Sequence, residues 1–377
     1  MSGEEAQRLA RADRARGRRR TWAIALVTLA FTLFSLCQGV STPGMLYTPA
    51  QVVGCYAGWF RLHVCAAFVP AMALDESSIV AALPMYYEVI ARVAYTAVTL
   101  ASGAMLAVSG MLYQLAFRNP IAAPAMLGVS SGSQAAVVAL VAAAGTQAAY
   151  LTGTRYLYSI VGGLAAMVVV IGLGKLASGR SRGLDMVSTL LIGTIVSSAV
   201  GAVSSYVVNY SFDDAQWLAW YAITNVTDLD VSGVTFALLG VALLVSLGPV
   251  LALRFRMNAL SFSDPDARML GVRPLALRVT AMACGSVMIL VAQALCGSVA
   301  MVSLVVPFVA RAAYGAEFRR QLVGTVWIGA LVLMVCRDVA SLIPFAGTGV
   351  PLGSVATIVL LPAFAWVMVA AQRQWTR

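Results

Sequence analysis

Ten apolar runs, each set off from the next by a polar, Gly/Pro- or arginine-bearing break, govern what this 377-residue chain can become. They cover roughly 22–40, 88–116, 122–146, 155–176, 186–208, 233–254, 278–296, 300–312, 324–343 and 350–371. A bilayer core takes about 20 helical residues to cross. Backbone inside lipid must satisfy its own hydrogen bonds, so runs of this kind are helices. The expected fold class is all-α: a polytopic membrane protein with about ten transmembrane helices. Composition agrees, with 60% hydrophobic and 11% charged residues against about 25% charged in a typical soluble domain. That balance excludes a soluble enzyme, a disordered chain and a nucleic-acid binder, despite the formal charge of +10.

Arginine placement sets the orientation, because basic residues collect in cytoplasmic segments. With the N-terminus inside, nearly all of the 25 Lys and Arg residues fall on the cytoplasmic side, leaving Arg61, Arg92 and Arg155 outside and Arg337 within a span. An even number of spans with N- and C-termini cytoplasmic follows. The chain then divides into a basic cytoplasmic arm (1–21), a transmembrane domain (22–371) and a short cytoplasmic tail (372–377). Within the domain, 41–87 is a long extracytoplasmic loop and 254–278 a cytoplasmic one. The arginine-rich start followed by an apolar run superficially resembles a signal peptide, and is read as a retained first helix. The eighth run is short and carries Pro307, so a half-span sheltered by its neighbours is expected.

The loops carry further expectations. Val64–Leu74 suggests a short helix on the outer surface, and Trp217 and Trp220 suit an interfacial anchor. In the inner loop, Asp264 before Pro265 reads as a helix N-cap with proline in the first turn, and Gly271 as the stop. A two-turn helix on the cytoplasmic face is a candidate docking surface, with a plain connector as the alternative. Cys55 and Cys65 share one outer loop, where they are either bridged or two free thiols. No C-x-x-C spacing occurs, and His63 is the only histidine, so no metal site is expected.

Catalytic patterns are missing. There is no G-x-x-x-x-G-K-[ST] loop for ATP and no H-E-x-x-H or G-x-S-x-G. The ionisable pair inside a span, Arg337-Asp338, costs roughly 2.5–3.5 kcal/mol per charge at midspan, and so must face a partner helix, a cavity or the interface. The two residues point about 100° apart on a helix, so they need not pair with each other. A proton-coupled carrier needs several buried carboxylates, and a bare-metal permease needs strong ligands along its path. The small polar residues here, among them Ser130, Ser133, Gln134, Ser197, Ser198 and Ser204, instead suit either close helix packing or a path for a large cargo that is not gripped. Energy and specificity then come from other subunits. A stand-alone carrier or channel is the competing class.

One stretch carries a specific pattern: Ser102-Gly-Ala-Met-Leu-Ala-Val-Ser-Gly110 through Gln114, then Arg118-Asn119-Pro120-Ile121-Ala122-Ala123-Pro124-Ala125-Met126-Leu127-Gly128-Val129-Ser130-Ser131-Gly132. It resembles the permease subunits of ABC importers for iron–siderophore complexes, haem and cobalamin. Three further stretches match in order: Leu260-Ser261 with Asp266-Ala267-Arg268 and Leu270-Gly271-Val272; Gly297 through Val306-Pro307 to Arg311 and Arg319-Arg320; and Val350-Pro351-Leu352-Gly353 to Pro362-Ala363-Phe364.

The resemblance implies a dimeric permease core enclosing a central path, formed with a second, identical or paralogous permease subunit. It implies two cytoplasmic ATPase subunits, which would hold ATP and Mg, and an extracytoplasmic substrate-binding protein that delivers cargo. No cofactor is expected in this chain. Leu260, Ser261, Asp266, Ala267, Arg268, Leu270, Gly271 and Val272 correspond to the family's ATPase-coupling segment. Arg118, Asn119, Pro120 and Ile121, with the start of the fifth helix, correspond to its inner gate. The expected setting is the bacterial cytoplasmic membrane. The chain departs from the family where Arg-Leu-Pro-Arg is usual: Arg92-Val93-Ala94-Tyr95 keeps one arginine. Either Arg92, Arg61 and Arg155 dock the binding protein in a different way, or a paralogous subunit supplies the charges. The family's histidine after Pro307 is Phe308, and its acid before Pro124 is Ala123.

Overall fold

The structure, a computed structural model, describes residues 3–37, 47–60, 86–150, 152–177, 186–213, 233–343 and 350–375. These form thirteen α-helices: α1 Gly3–Leu36, α2 Pro49–Phe60, α3 Tyr86–Phe117, α4 Val129–Tyr150, α5 Thr152–Ala177, α6 Met186–Ser211, α7 Gly233–Ala252, α8 Arg254–Met257, α9 Asp264–Met269, α10 Pro274–Cys296, α11 Ala300–Tyr314, α12 Phe318–Leu342 and α13 Leu352–Trp375. Two 3-10 turns, Pro124–Leu127 and Asn258–Ser261, complete the set, and no strand occurs among the described residues. Segments long and apolar enough to cross a membrane lie in α1, α3, α5, α6, α7, α10 and α12, while α4, α11 and α13 contribute shorter apolar helices. Each of the ten runs expected from the sequence therefore has a helix at its position.

Two boundaries differ from expectation for local reasons. The run at 122–146 begins as a 3-10 turn opened by Pro124 and closed by Gly128 at φ +76°, and only then becomes α4. The N-terminal arm and the first span are not separate pieces, because α1 runs unbroken from Gly3. The Arg20 guanidinium donates to the Ala313 carbonyl near the end of α11.

The core is built around α3, α10, α11 and α12. Two-thirds of the α10 span is buried, against 11% for the most apolar stretches of α1 and α6, which lie at the periphery. Small residues let the backbones approach, as expected where packing rather than water drives association. A Cβ on Gly103 of α3 would lie 2.4 Å from the Gly329 carbonyl oxygen of α12. One on Gly132 of α4 would lie 2.6 Å from the Gly162 oxygen of α5.

Pro307 does not break α11, which continues to Tyr314. Proline removes one N–H and frees a carbonyl a turn earlier, and α3 packs closely against that turn. Gln114 of α3 donates from Nε2 to the Leu304 carbonyl at 3.0 Å, and Gly110 of α3 presses its backbone against the Ser303 carbonyl. A smaller apolar cluster at the other end joins Tyr47, Val52, Cys55, Tyr86 and Val89.

Candidate functional site

The segment between α7 and α10 is folded rather than a plain connector. Ser263 is the N-cap of α9, with φ −60° and ψ 159°, and its side chain accepts a hydrogen bond from the Asp266 amide at 3.4 Å. Its hydroxyl donates in turn to the Asp266 carboxylate. The cap is thus one residue earlier than the expected Asp264, because Ser263 is followed three residues later by an acid that can return the bond. Asp264 and Asp266 then sit in the first turn, where negative charge suits the free amides. Gly271 ends the helix as expected, at φ +75°, with its amide on the Arg268 carbonyl at 2.9 Å. Replacing Ser263 with alanine should loosen α9 by about 1 kcal/mol, read as faster hydrogen exchange at the amides of Asp266 and Ala267.

Leu260 and Ala267 are fully buried and anchor the segment. Ser261, Asp266, Arg268, Leu270 and Gly271 are exposed, and Val272 is half-buried. Beside them, Met269 is 87% exposed and Leu270 62%. Met269 was not among the residues that sequence reasoning selected. Its signal was a large apolar side chain at the end of a six-residue helix with three charged residues. The segment therefore presents a small apolar knob flanked by Arg268, held from behind by two buried side chains.

Tethers link it to three core helices. Asn258 accepts the Phe318 amide at the start of α12 at 2.9 Å. Arg118, at the end of α3, donates from Nε to the Leu260 carbonyl at 2.8 Å and pairs with Asp264 at 2.7 Å. Arg278 of α10 pairs with the same Asp264 oxygen at 2.6 Å.

The inner turn explains why Arg118 can reach. The amides of Arg118 and Asn119 bond back to the carbonyls of Leu115 and Gln114, the pattern of a helix end whose first non-helical residue is left-handed. Arg118 has φ +50°, the left-handed region that usually holds glycine. The Asn119 side chain then accepts the Ile121 amide at 3.1 Å, and Pro120 sends the chain back into the bundle. The following 3-10 turn touches α6 at Gly193, where an added Cβ would lie 2.1 Å from the Met126 carbonyl. The structure thus brings together Arg118 of the expected gate and Leu260 of the expected coupling segment, and the 3-10 turn that follows packs on α6, the fifth membrane helix.

The arginines expected at the outer face do not stand together. Arg61 lies outside the described residues, as do Cys65, His63, Val64–Leu74, Trp217 and Trp220. Cys55 is fully buried, and burial pushes its thiol pKa up. Arg155 is half-buried against the Tyr156 ring and lines a polar crevice with Ser133, Gln134, Ser159, Gln293 and Ser298. Arg92 needs correction. It is 2% exposed, and an arginine that docks a partner must offer its guanidinium to that partner. Its Nη2 pairs with Asp338 at 3.0 Å, and it donates to the Ser35 carbonyl at 2.8 Å and hydroxyl at 2.9 Å. The Ser35 hydroxyl donates to Asp338 at 2.9 Å. Arg337 points elsewhere, to the Tyr95 carbonyl and ring and the Thr99 hydroxyl. Adjacent on one helix, Arg337 and Asp338 thus take different partners. Of the serines considered for a cargo path, Ser197, Ser198 and Ser204 donate to carbonyls of their own helix.

Comparison with known proteins decides the family. The profile of the FecCD transport family matches residues 64–370. The chain belongs to the FecCD transport family. A probable iron chelatin transport system permease protein of Helicobacter pylori is 28% identical over 269 residues, 71% of this chain and 77% of that one. The iron(3+)-hydroxamate import system permease protein of Bacillus subtilis is 30% identical over 274 residues, covering 72% and 68%. A solved structure described as an inward-facing metal-chelate type ABC transporter superposes with a TM-score of 0.71 at 19% identity, over 94% of this chain and 99% of that one. This FecCD-family chain is an ABC-transporter permease, a multi-pass protein of the bacterial cytoplasmic membrane. The FecCD match starts after α1 and α2, so the helix that supplies Ser35 to the Arg92–Asp338 pair precedes the matched region.

Proposed function

We propose that this FecCD-family chain is the membrane subunit of an ATP-driven importer that carries a ferric chelate of siderophore type. The observation that carries the reading is the 260–272 segment: a capped, tethered helix whose apolar knob faces away from the bundle on the side where arginines collect. A handle of that form suits a groove on an ATPase subunit, and this chain has no ATP-binding loop of its own. Two such permeases, identical or paralogous, with two ATPase subunits and an extracytoplasmic binding protein make up the working complex. ATP binding then closes the ATPase pair and shifts the segment, and the bundle changes which side of the membrane its path opens to. The relatives named for iron chelatin and iron(3+)-hydroxamate favour a ferric chelate as cargo.

Two measurements test this. In the reconstituted complex, a ferric hydroxamate should stimulate ATP hydrolysis; stimulation by haem or cobalamin alone would reassign the cargo. Arg268→Glu reverses an exposed charge beside the knob, and should lower ATPase capture and uptake together. Unchanged assembly and uptake in that variant would remove the segment from the ATPase interface.

A further inference from the structure

We propose that Asp264 is a positioning residue that clamps the coupling helix α9 to two core helices at once, so that movement of α9 reaches α3 and α10 as a unit. The inference rests on the reading of 260–272 as the coupling segment and names the contact through which it acts. One carboxylate at the first residue of α9 takes Arg118, from the end of α3, at 2.7 Å and Arg278, from the first turns of α10, at 2.6 Å. Arg278 makes a second bond to the other carboxylate oxygen at 3.3 Å. Arg118 also holds the Leu260 carbonyl at 2.8 Å, so a single guanidinium grips the segment on both sides of the α9 cap. Apart from this cluster, α9 is fixed by one buried side chain, Ala267.

Two magnitudes argue that the Arg118–Asp264 pair serves position rather than stability. The side chains of Arg118 and Asp264 are 32% and 40% exposed, and an ion pair that open to solvent is worth only about 0–1 kcal/mol. The Arg278 side chain on the same carboxylate is 8% exposed, so that pair carries more of the stability. The left-handed backbone at Arg118 costs roughly 1–2 kcal/mol for a residue with a Cβ, a cost that glycine would avoid. An arginine kept where glycine sits more easily, for an ion pair of small net worth, is explained by what its guanidinium holds. With two cations on one anion, neutralising Asp264 also turns attraction between α9 and the core into repulsion between Arg118 and Arg278.

The test uses the complete reconstituted complex and compares Asp264→Asn, Arg118→Gly and the double variant. Arg118→Gly keeps the left-handed turn without strain, so its effect reports the side chain and not the fold. In each single variant the ATPase subunit should still copurify and hydrolyse ATP, while chelate transported per ATP falls about tenfold. The double variant should fall short of the product of the two single losses, since the two substitutions share the Arg118–Asp264 link. Normal transport per ATP in Arg118→Gly overturns the proposal. So do losses that multiply in the double variant, or uptake that falls only in step with ATPase capture. Should Asp264→Asn fail to accumulate in the membrane, Arg118→Gly decides alone. If the unaltered complex moves no chelate, the importer reading fails instead, which is a separate result.

Discussion

Replacing Asp338 with alanine should destabilise the folded permease by about 3–5 kcal/mol, the usual effect of removing one partner from a buried ion pair. The Arg92 guanidinium would be left inside the bundle, since both residues are within 3% of full burial. The link lost joins three helices, because Ser35 of α1, Arg92 of α3 and Asp338 of α12 share it. Replacing the pair with apolar residues of similar volume, Arg92→Met with Asp338→Leu, should recover most of the loss, because it removes both desolvated charges. Unfolding in a denaturant series in detergent measures each variant. The same series separates two accounts of Arg92. A structural role predicts a large stability loss in Arg92→Ala. A docking role predicts normal stability with weaker binding-protein affinity. The burial of Arg92 favours the first.

Gly110→Ala should be as damaging from a single methyl group. Its Cβ would lie 1.6 Å from the Ser303 carbonyl oxygen and 2.5 Å from the Ser303 carbonyl carbon. Both are backbone atoms, so no side chain can swing aside and α11 must move. Overpacking that only perturbs side chains costs about 1–3 kcal/mol, and this case should exceed that range. The displacement also disturbs Gln114, one turn along α3, whose amide answers the Leu304 carbonyl next to the one freed by Pro307. Gly240→Ala in α7 is the control: nothing lies within 4 Å of its Cβ, and alanine is about 1 kcal/mol better than glycine in a helix. That variant should be neutral or stabilised. Equal behaviour of the two variants would remove the α3–α11 contact from the account.

These two cases mark where sequence reasoning stops. The membrane helices were readable because lipid imposes a length and an apolarity that a run either has or lacks. The coupling helix was readable to within one residue, since caps and left-handed glycines are local events, and the error arose because Ser263 and Asp264 are both good caps. The partners of Arg92 and Asp338 were not readable. The pair depends on how α1, α3 and α12 pack, and no local pattern says which of two neighbouring ionisable residues turns inward. Gly110 stood in the matching motif, but its close approach to Ser303 depends on how α3 and α11 pack, which no local pattern states. Arg118 was singled out for its turn, whereas its left-handed backbone and its hold on Asp264 are products of the tertiary fold.

One reconstitution experiment bears on everything above. Vesicles holding this permease with its ATPase subunits and ATP on the cytoplasmic side should concentrate ferric chelate supplied with the binding protein. Vesicles holding the permease alone should not concentrate it, whatever ion gradient is imposed. Uphill accumulation by the permease alone would contradict the account, since a path without its own energy source cannot do that work.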